Sequence, residues 1–479
     1  MRQAVYAMEG QKHVKFGGRL VVVGFGSVGQ GSLPLLLRHI DIPLDRICIV
    51  TGDERGRAEA AHYGVKFEVT PLTPANYRAI LLPLVGRGDF LLNLSVDVSS
   101  VALIELCCEA GALYLDTCIE PWLGGYTDQS VSPSHRSNYG LREAVLALRE
   151  KYPHDGPTMI PTHGANPGLI SHWVKQAMLN VARDTSGATS VPRARDQWAK
   201  LAMNLNVKVI HCAERDTQVA TPRKRRFEFV NTWSVDGFIG EGSQPCELGW
   251  GSHERHFPPD GKHHEFGCKA AIYLTRPGAS VKVRSWTPSE GQYHGLLITH
   301  SEAISISDYY TVRDSGAVVY RPTCHYAYHP SDDTILSVHE LAGKGWVGQD
   351  ARRILMDDIY DGTDELGALL MGHAKGAYWY GSRITVHEAR KLAPHNNATS
   401  IQVAAGVLGG VVWAMENPRS GILDPDELDF QRVLEIARPY LGSVEGEYSD
   451  WNPLEGRNHP FAEDLDVRDP WQFKNFRVV

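Results

Sequence analysis

No two of the eight cysteines, at 48, 107, 108, 118, 212, 246, 268 and 324, form a CxxC pair. Several lie in apolar runs such as ICIV, so they read as buried reduced thiols in a reducing compartment. An apolar h-region is missing from MRQAVYAMEGQKH, so no secretory signal is expected, and the NAT sequon at 397–399 carries no meaning without secretion. The longest uncharged apolar run, 403–415, is shorter than a bilayer requires, so no membrane partner is expected. Positive charge is also scarce: 48 Lys and Arg against 56 Asp and Glu give a net charge of −8. That balance argues against nucleic acid as the main partner, and the isolated RKRR at 223–226 reads as a solvated strand entry. Internal repeats and low-complexity tracts are absent. What remains is a 479-residue chain, 43% hydrophobic and 22% charged, suited to two or three soluble domains and expected to be cytoplasmic.

RLVVVGFGSVGQGSLPLLLRHI is the most legible segment. Leu20 to Val23 read as a buried parallel strand, followed by Gly24, Gly26 and Gly29 in GxGxxG register and an apolar-periodic helix. Gly24 permits the tight turn, Gly26 lets the backbone approach a pyrophosphate, and Gly29 lets helix and strand pack closely. Ser27 and Val28 lie within the same loop, where the helix N-terminus offers amide donors to phosphate. DRICIVTGD supplies the second strand of a βαβ unit, and strands alternate with helices over the first ~150 residues, which indicates a doubly wound α/β Rossmann domain. The ribose-binding acid is expected about 20 residues after the loop; Asp53 and Glu54 arrive a little late, and Thr51 holds the usual place. An acid there favours NAD. Asn93, Ser95 and Asp97 in NLSVDVSS, and Thr117, Glu120 and Trp122 in LDTCIEPW, fall at the carboxyl ends of strands, where such folds bind ligands.

From about 200 to 330 many strand-like runs predict an α+β domain on a largely antiparallel sheet. The apolar stretch near 395–420 predicts a helix returning to the first domain. The expected division is 1–165 for NAD binding with that returning helix, 166–394 for substrate and dimerisation, and 421–479 as a C-terminal extension. HERH at 253–256, HH at 263–264 and Cys268 are metal-type ligands, but FPPDGK between them reads as loop and the spacing is not HExxH, so no metal is expected. FEFVNTWSV alternates, which would place Phe227, Phe229, Asn231, Trp233 and Val235 on one strand face, with Glu241 in a glycine-rich loop beyond it. An indole face beside uncompensated carboxylates is chemistry suited to an organic ammonium. Trp233 also reads as an ordinary core residue with its N–H satisfied.

GFGSVGQG, NLSVDVSS, LYLDTCIEPW, HGANPGLIS, IHCAERDTQ, NTWSVDGFIGEG, ELGWG, RPTCHYAYHP and DELGALLMGHAKGAYWYGS together resemble the bacterial homospermidine synthases along nearly the whole chain. That group is similar to saccharopine dehydrogenase and carboxynorspermidine dehydrogenase. The resemblance implies a homodimer with tightly held NAD and a redox-neutral reaction. Putrescine is oxidised, ammonia leaves, and the imine formed with a second putrescine is reduced to homospermidine. It implies that Trp233 steadies cationic intermediates and that Glu120, Glu214, Glu241 and Asp364 hold ammonium ends. It also places Asn166 and His300 near nicotinamide and substrate, with Ala165 and Asn166 at the cofactor. TGDE departs from the pattern, since relatives place the acid earlier. The competing readings are a net saccharopine-type NAD(P) dehydrogenase, which would need cationic side chains for an amino-acid carboxylate, and a non-catalytic NAD-sensing protein.

Overall fold

The computed structural model describes residues 10–457 and 459–479. The first sheet is built from six parallel strands: β1 (Leu20–Val23), β2 (Ile47–Thr51), β3 (Lys66–Val69), β4 (Phe90–Asn93), β5 (Leu113–Asp116) and β6 (Met159–Ile160). Their order is β3-β2-β1-β4-β5-β6, so the strand order reverses between β1 and β4. β1, β4 and β5 are buried along their whole length, which is why they read as continuous apolar runs rather than alternating ones. Helices α1 (Ser27–His39), α2 (Ser100–Ala110) and α3 (Asn138–Lys151) flank the sheet. Register sets Val23 beside Val50 and Asn93, and Asn93 beside Asp116, so the carboxyl ends of four strands form one edge.

After α4 (Leu169–Ser186) the chain builds a ten-stranded sheet. Its members are β7 (Val209–Asp216), β8 (Pro245–Gly249), β9 (Gly261–His263), β10 (Ala271–Pro277), β11 (Lys282–Thr287), β12 (Gly291–Leu296), β13 (Thr323–His329), β14 (Thr363–His373), β15 (Gly376–Thr385) and β16 (Ser443–Ser449). The order is β9-β10-β8-β13-β7-β14-β15-β16, with the β11–β12 hairpin joined to β13. Every pairing is antiparallel except β13 with β7.

Two shorter helices, α5 (Val235–Ser243) and α6 (Ser301–Tyr309), and the returning helix α7 (Ala398–Glu416) complete the frame around the site. α7 packs on α1 and β5 of the first sheet and on β14 and β15 of the second. It runs 19 residues and is apolar and long enough to cross a membrane, a longer element than the run at 403–415 suggests; it lies buried inside the protein. Gly406 on α7 meets the chain at Gly164, where an added Cβ would lie 2.0 Å from the Gly164 carbonyl oxygen.

The stretch opened by FEFVNTWSV departs from the sequence expectation. The strand covers only Glu228–Asn231, Phe227 is exposed, and Val235 begins α5, so Trp233 and Val235 do not continue a strand face. Ser234 is the reason: its hydroxyl accepts from the Gly237 amide and caps α5, with Asp236 in the first turn. Glu241 therefore projects from a helix, not a loop. The glycines that suggested a bend serve packing instead. A Cβ on Gly237 would lie 3.1 Å from the Trp233 ring, and one on Gly242 would lie 3.1 Å from Ala279.

Candidate active site

The glycine loop lies at the reversal of strand order, where open α/β sheets bind ligands. Gly24 has φ +81°, and a Cβ there would lie 2.6 Å from Ser95 Cα, so the loops after β1 and β4 touch. Gly26 is the opposite case, since a Cβ would meet nothing within 4 Å. No side chain caps α1, and its first turn, which includes Ser27, Val28 and Gly29, holds no acid. This open approach to an uncapped helix N-terminus fits a dinucleotide pyrophosphate.

The other residues expected at the cofactor divide into two groups. Asn93 is buried at the end of β4 and accepts the Ser95 hydroxyl at 2.6 Å. Thr51 is buried at the end of β2. Thr117 and Ala165 flank the loop that carries Asn166, with Thr117 close against Gly164. Asp53, by contrast, is partly exposed and paired with Arg55 at 2.6 Å, while Glu54 pairs with Arg57. Asp97 turns the other way, toward the acidic cluster, where its backbone N–H donates to Glu120 at 3.3 Å.

That cluster is assembled from both sheets. Glu214 and Asp216 are two residues apart on β7 and share its inner face. Register places Tyr328 beside Glu214 and Asp364 beside Asp216. Asn166, on the loop between β6 and α4, donates to Glu214 Oε2 at 3.0 Å, and the Tyr326 hydroxyl donates to the same oxygen. Thr399, in the first turn of α7, donates to Asp364. His300, immediately before α6, reaches Glu241 through Nε2 and Glu302 through Nδ1, both at 3.1 Å. Glu120 comes from the β5 loop and accepts from the Cys118 thiol at 3.3 Å. The Trp233 indole N–H donates to the Tyr328 hydroxyl at 3.2 Å, and its ring is only partly buried.

Glu120, Glu214, Asp216, Glu241, Glu302 and Asp364 are all buried. Among the described residues no lysine or arginine forms an ion pair with any of them, and His300 is the cation that bridges two. Their proton affinities follow from this crowding. Burial and the nearby Glu241 push Glu120 up to about 8. Burial and Asp216 push Glu214 up to about 7, against the donors Tyr326 and Asn166. Asp364 is held well above the usual range by burial and by Glu214 and Asp216. For His300 burial opposes the charged ring, but Glu302 and Glu241 overcome it and raise the group to about 10. At neutral pH the ring is an imidazolium. With no lysine or arginine paired to it among the described residues, the cluster is short of positive charge.

The chain thus brings together Asn166, Glu120, Glu214, Trp233, Glu241, His300 and Asp364. The reading from sequence missed Tyr326, Tyr328, Glu302, Asp216 and Thr399. The spacing of Tyr326 and Tyr328, two apart on one strand, was the available signal; their rings stack at 5.0 Å. The histidine-rich segment is dispersed: His253 bonds to the Trp471 carbonyl, His256 to Asp466, and His264 to Ser134. Among the described residues no three His, Cys, Asp or Glu side chains converge as metal ligands would. A separate hollow of about 600 Å³ lies at the amino edge of the first sheet, around Phe16, Gly88, Gly111 and Gly421, and contains none of the clustered acids.

Comparison with known proteins gives a consistent picture. Residues 20–160 match the saccharopine dehydrogenase NADP binding domain, and residues 164–450 match the saccharopine dehydrogenase C-terminal domain. A homospermidine synthase of Blastochloris viridis is 51% identical over 465 residues, 96% of this chain and 97% of the relative. One from Mesorhizobium japonicum is 50% identical over 468 residues, 96% of each chain. The crystal structure of homospermidine synthase from Legionella pneumophila in complex with NAD superposes with a TM-score of 0.91 at 46% identity, covering 97% of this chain and 98% of that one. Saccharopine dehydrogenase from Saccharomyces cerevisiae shares the fold, with a TM-score of 0.52 at 11% identity over 90% of this chain and all of that one.

Proposed function

The chain belongs to the homospermidine synthase family, and we propose that it condenses two putrescine molecules to homospermidine and ammonia, with NAD recycled rather than consumed. The observation that carries this reading is the set of six buried carboxylates with, among the described residues, no paired lysine or arginine, joined to Trp233 through Tyr328, which lies beside Glu214. An amino-acid substrate of the saccharopine type would need cationic partners for its carboxylate, and the cluster offers the opposite charge.

When bound at the glycine loop, NAD supplies a hydride acceptor for the donor amine and a hydride donor for the condensed imine. Gly24, Gly26, Ser27, Val28 and Gly29 would hold its pyrophosphate, with Thr51 and Asn93 beside them. Arg55 and Arg57, the cations that could favour a ribose 2′-phosphate, are already paired with Asp53 and Glu54, which supports NAD over NADP.

Within the pocket, Glu214, Asp216 and Asp364 hold the far ammonium of a diamine, taking up its charge as they release protons. Glu120, whose proton affinity is raised to about 8, loses its proton as the ammonium charge arrives beside it. The carboxylate then accepts a proton from the attacking ammonium so that a free amine can add to the carbon of the oxidised donor. His300, charged at neutral pH, gives a proton to the departing ammonia and recovers one through Glu241 or Glu302. The nitrogen balance closes: two diamines enter, one nitrogen leaves as ammonia, and a secondary amine remains. Trp233 lends its π face to the cationic imine and keeps water from it.

We further infer a soluble cytoplasmic homodimer; the eight free cysteines suit a reducing compartment. We assign residues 1–165 and the returning helix to cofactor binding, 166–394 to substrate and dimerisation, and 421–479 to an extension over both. The test is incubation of the purified protein with putrescine and trace NAD⁺. Homospermidine and ammonia in equal amounts, without accumulating NADH, are expected. Stoichiometric NADH without a new polyamine would make the enzyme a dehydrogenase, and no turnover of any diamine would leave a cofactor-binding protein.

A further inference from the structure

The bend that carries Asn166 is fastened from behind by two buried histidines that the reaction itself does not use. The Gly164 amide donates to the Pro167 carbonyl at 2.7 Å and closes the bend. On one side the Thr162 and His163 amides donate to Asp116 at 2.5 and 2.7 Å. On the other, His163 Nδ1 lies 3.0 Å from the Gly406 carbonyl oxygen of α7, and His163 Nε2 lies 2.9 Å from Nε2 of His172 in the first turn of α4. A carbonyl can only accept, so His163 Nδ1 carries the hydrogen and its Nε2 is an acceptor. His172 must then donate from Nε2. Burial keeps both rings neutral, lowering His163 to about 4 and His172 well below the usual range. The result is a one-way chain of donors from α4 through the bend to α7.

We propose that His172 is a positioning residue for diamine turnover: its Nε2–H holds His163, and through it the 163–168 bend, so that Asn166 donates to Glu214. This rests on the reading of Glu214 as an ammonium acceptor. Glu214 Oε2 takes both the Asn166 amide and the Tyr326 hydroxyl, and each donor favours the carboxylate. Asp216 and Asp364 oppose that charge, His300 supports it, and Tyr293, Tyr328 and Cys212 face the same group. Losing Asn166 from this set makes Glu214 a weaker acid.

The experiment compares wild type with His172→Leu, His172→Gln, His172→Asn, Asn166→Ala and the Asn166→Ala/His172→Leu double variant. kcat/KM for putrescine is measured from pH 6 to 9 by mass spectrometry, and thermal unfolding is recorded beside it. His172→Leu should lose about tenfold in kcat/KM, the scale of one hydrogen bond, and its acid limb should move to higher pH. His172→Gln, whose side-chain amide reaches the Nε2 position, should recover both, whereas the shorter Asn should not. In the Asn166→Ala background His172→Leu should cost nothing further. An unmoved acid limb, or losses that multiply in the double variant, would overturn the proposal. If the Leu variant fails to fold, equal activity of the Gln and Asn variants would overturn it instead. Full activity of Asn166→Ala would remove the Glu214 reading and this proposal together. Impaired Asn166→Ala beside normal His172→Leu would overturn the positioning role alone.

Discussion

At the scale of the residue, Trp233 is fixed by a hydrogen bond and a ring contact yet only partly buried, which supports the role proposed for it. Its indole N–H is taken by the Tyr328 hydroxyl, and its ring edge rests on Phe238, with centroids 5.8 Å apart. Part of the side chain stays accessible. Replacing Trp233 by Ala removes the π face from a cationic imine, an interaction worth about 2 kcal/mol when desolvated. At roughly 1.4 kcal/mol per tenfold, turnover should fall by about 30-fold, and free aldehyde should appear by mass spectrometry as water reaches the intermediate. Trp233→Phe keeps a ring without the tether and should lose less. Wild-type turnover in Trp233→Ala, without aldehyde release, would remove the residue from the mechanism.

At the scale of the element, what the sequence made legible depended on how local the cause was. The glycine loop, its strand and its helix are fixed by neighbours within a few residues, and they appear where GxGxxG places them. α5 departs from the expected strand and loop because its glycines answer to Trp233 and Ala279, the second a contact distant in sequence, while the decisive local signal, Ser234 as a helix cap, lies inside an alternating run. His300 reads as a strand residue by its apolar neighbours but precedes α6, where two carboxylates from different helices hold it. The pairing of Asp216 with Asp364 across β7 and β14 is a matter of register that no short motif encodes.

The crossing of α7 over the Asn166 bend yields a prediction whose sign is informative. Gly to Ala inside a helix ordinarily stabilises by about 0.5–1 kcal/mol. At Gly406 the new methyl would strike the Gly164 carbonyl, and overpacking typically costs about 1–3 kcal/mol. Gly406→Ala should therefore lower Tm by several degrees, at roughly 2–4 °C per kcal/mol for a large domain, and should reduce kcat/KM as the bend shifts. A raised Tm with intact activity would show that α7 does not clamp the bend.

At the scale of the whole molecule, the acids at the centre make stability and substrate charge two sides of one balance. Glu120 and Glu214 titrate near 8 and 7 in the fold, against about 4.3 for an unperturbed glutamate. Over that interval the folded state retains protons that the unfolded chain has released, so stability must fall as pH rises. His300 acts in the same direction. With its folded value near 10 and an unfolded value of about 6.5, its contribution is complete below the unfolded value and is lost as pH climbs through the folded one. Below about pH 6.5 the buried neutral histidines, His163 and His172 among them, act in the opposite sense, so the free protein should lose thermal stability from about pH 7 to 9. A diamine supplies the missing positive charge, and its ammonium groups stay protonated to about pH 10, as a lysine does. The rise in Tm that saturating putrescine produces should therefore grow from pH 6 to pH 9, because at pH 6 the ligand must displace protons and at pH 9 it meets carboxylates already ionised. Calorimetric scans of the NAD-loaded protein with and without putrescine at each pH measure this directly. A shift that is flat, or larger at pH 6, would mean that the buried acids are not what binds the diamine.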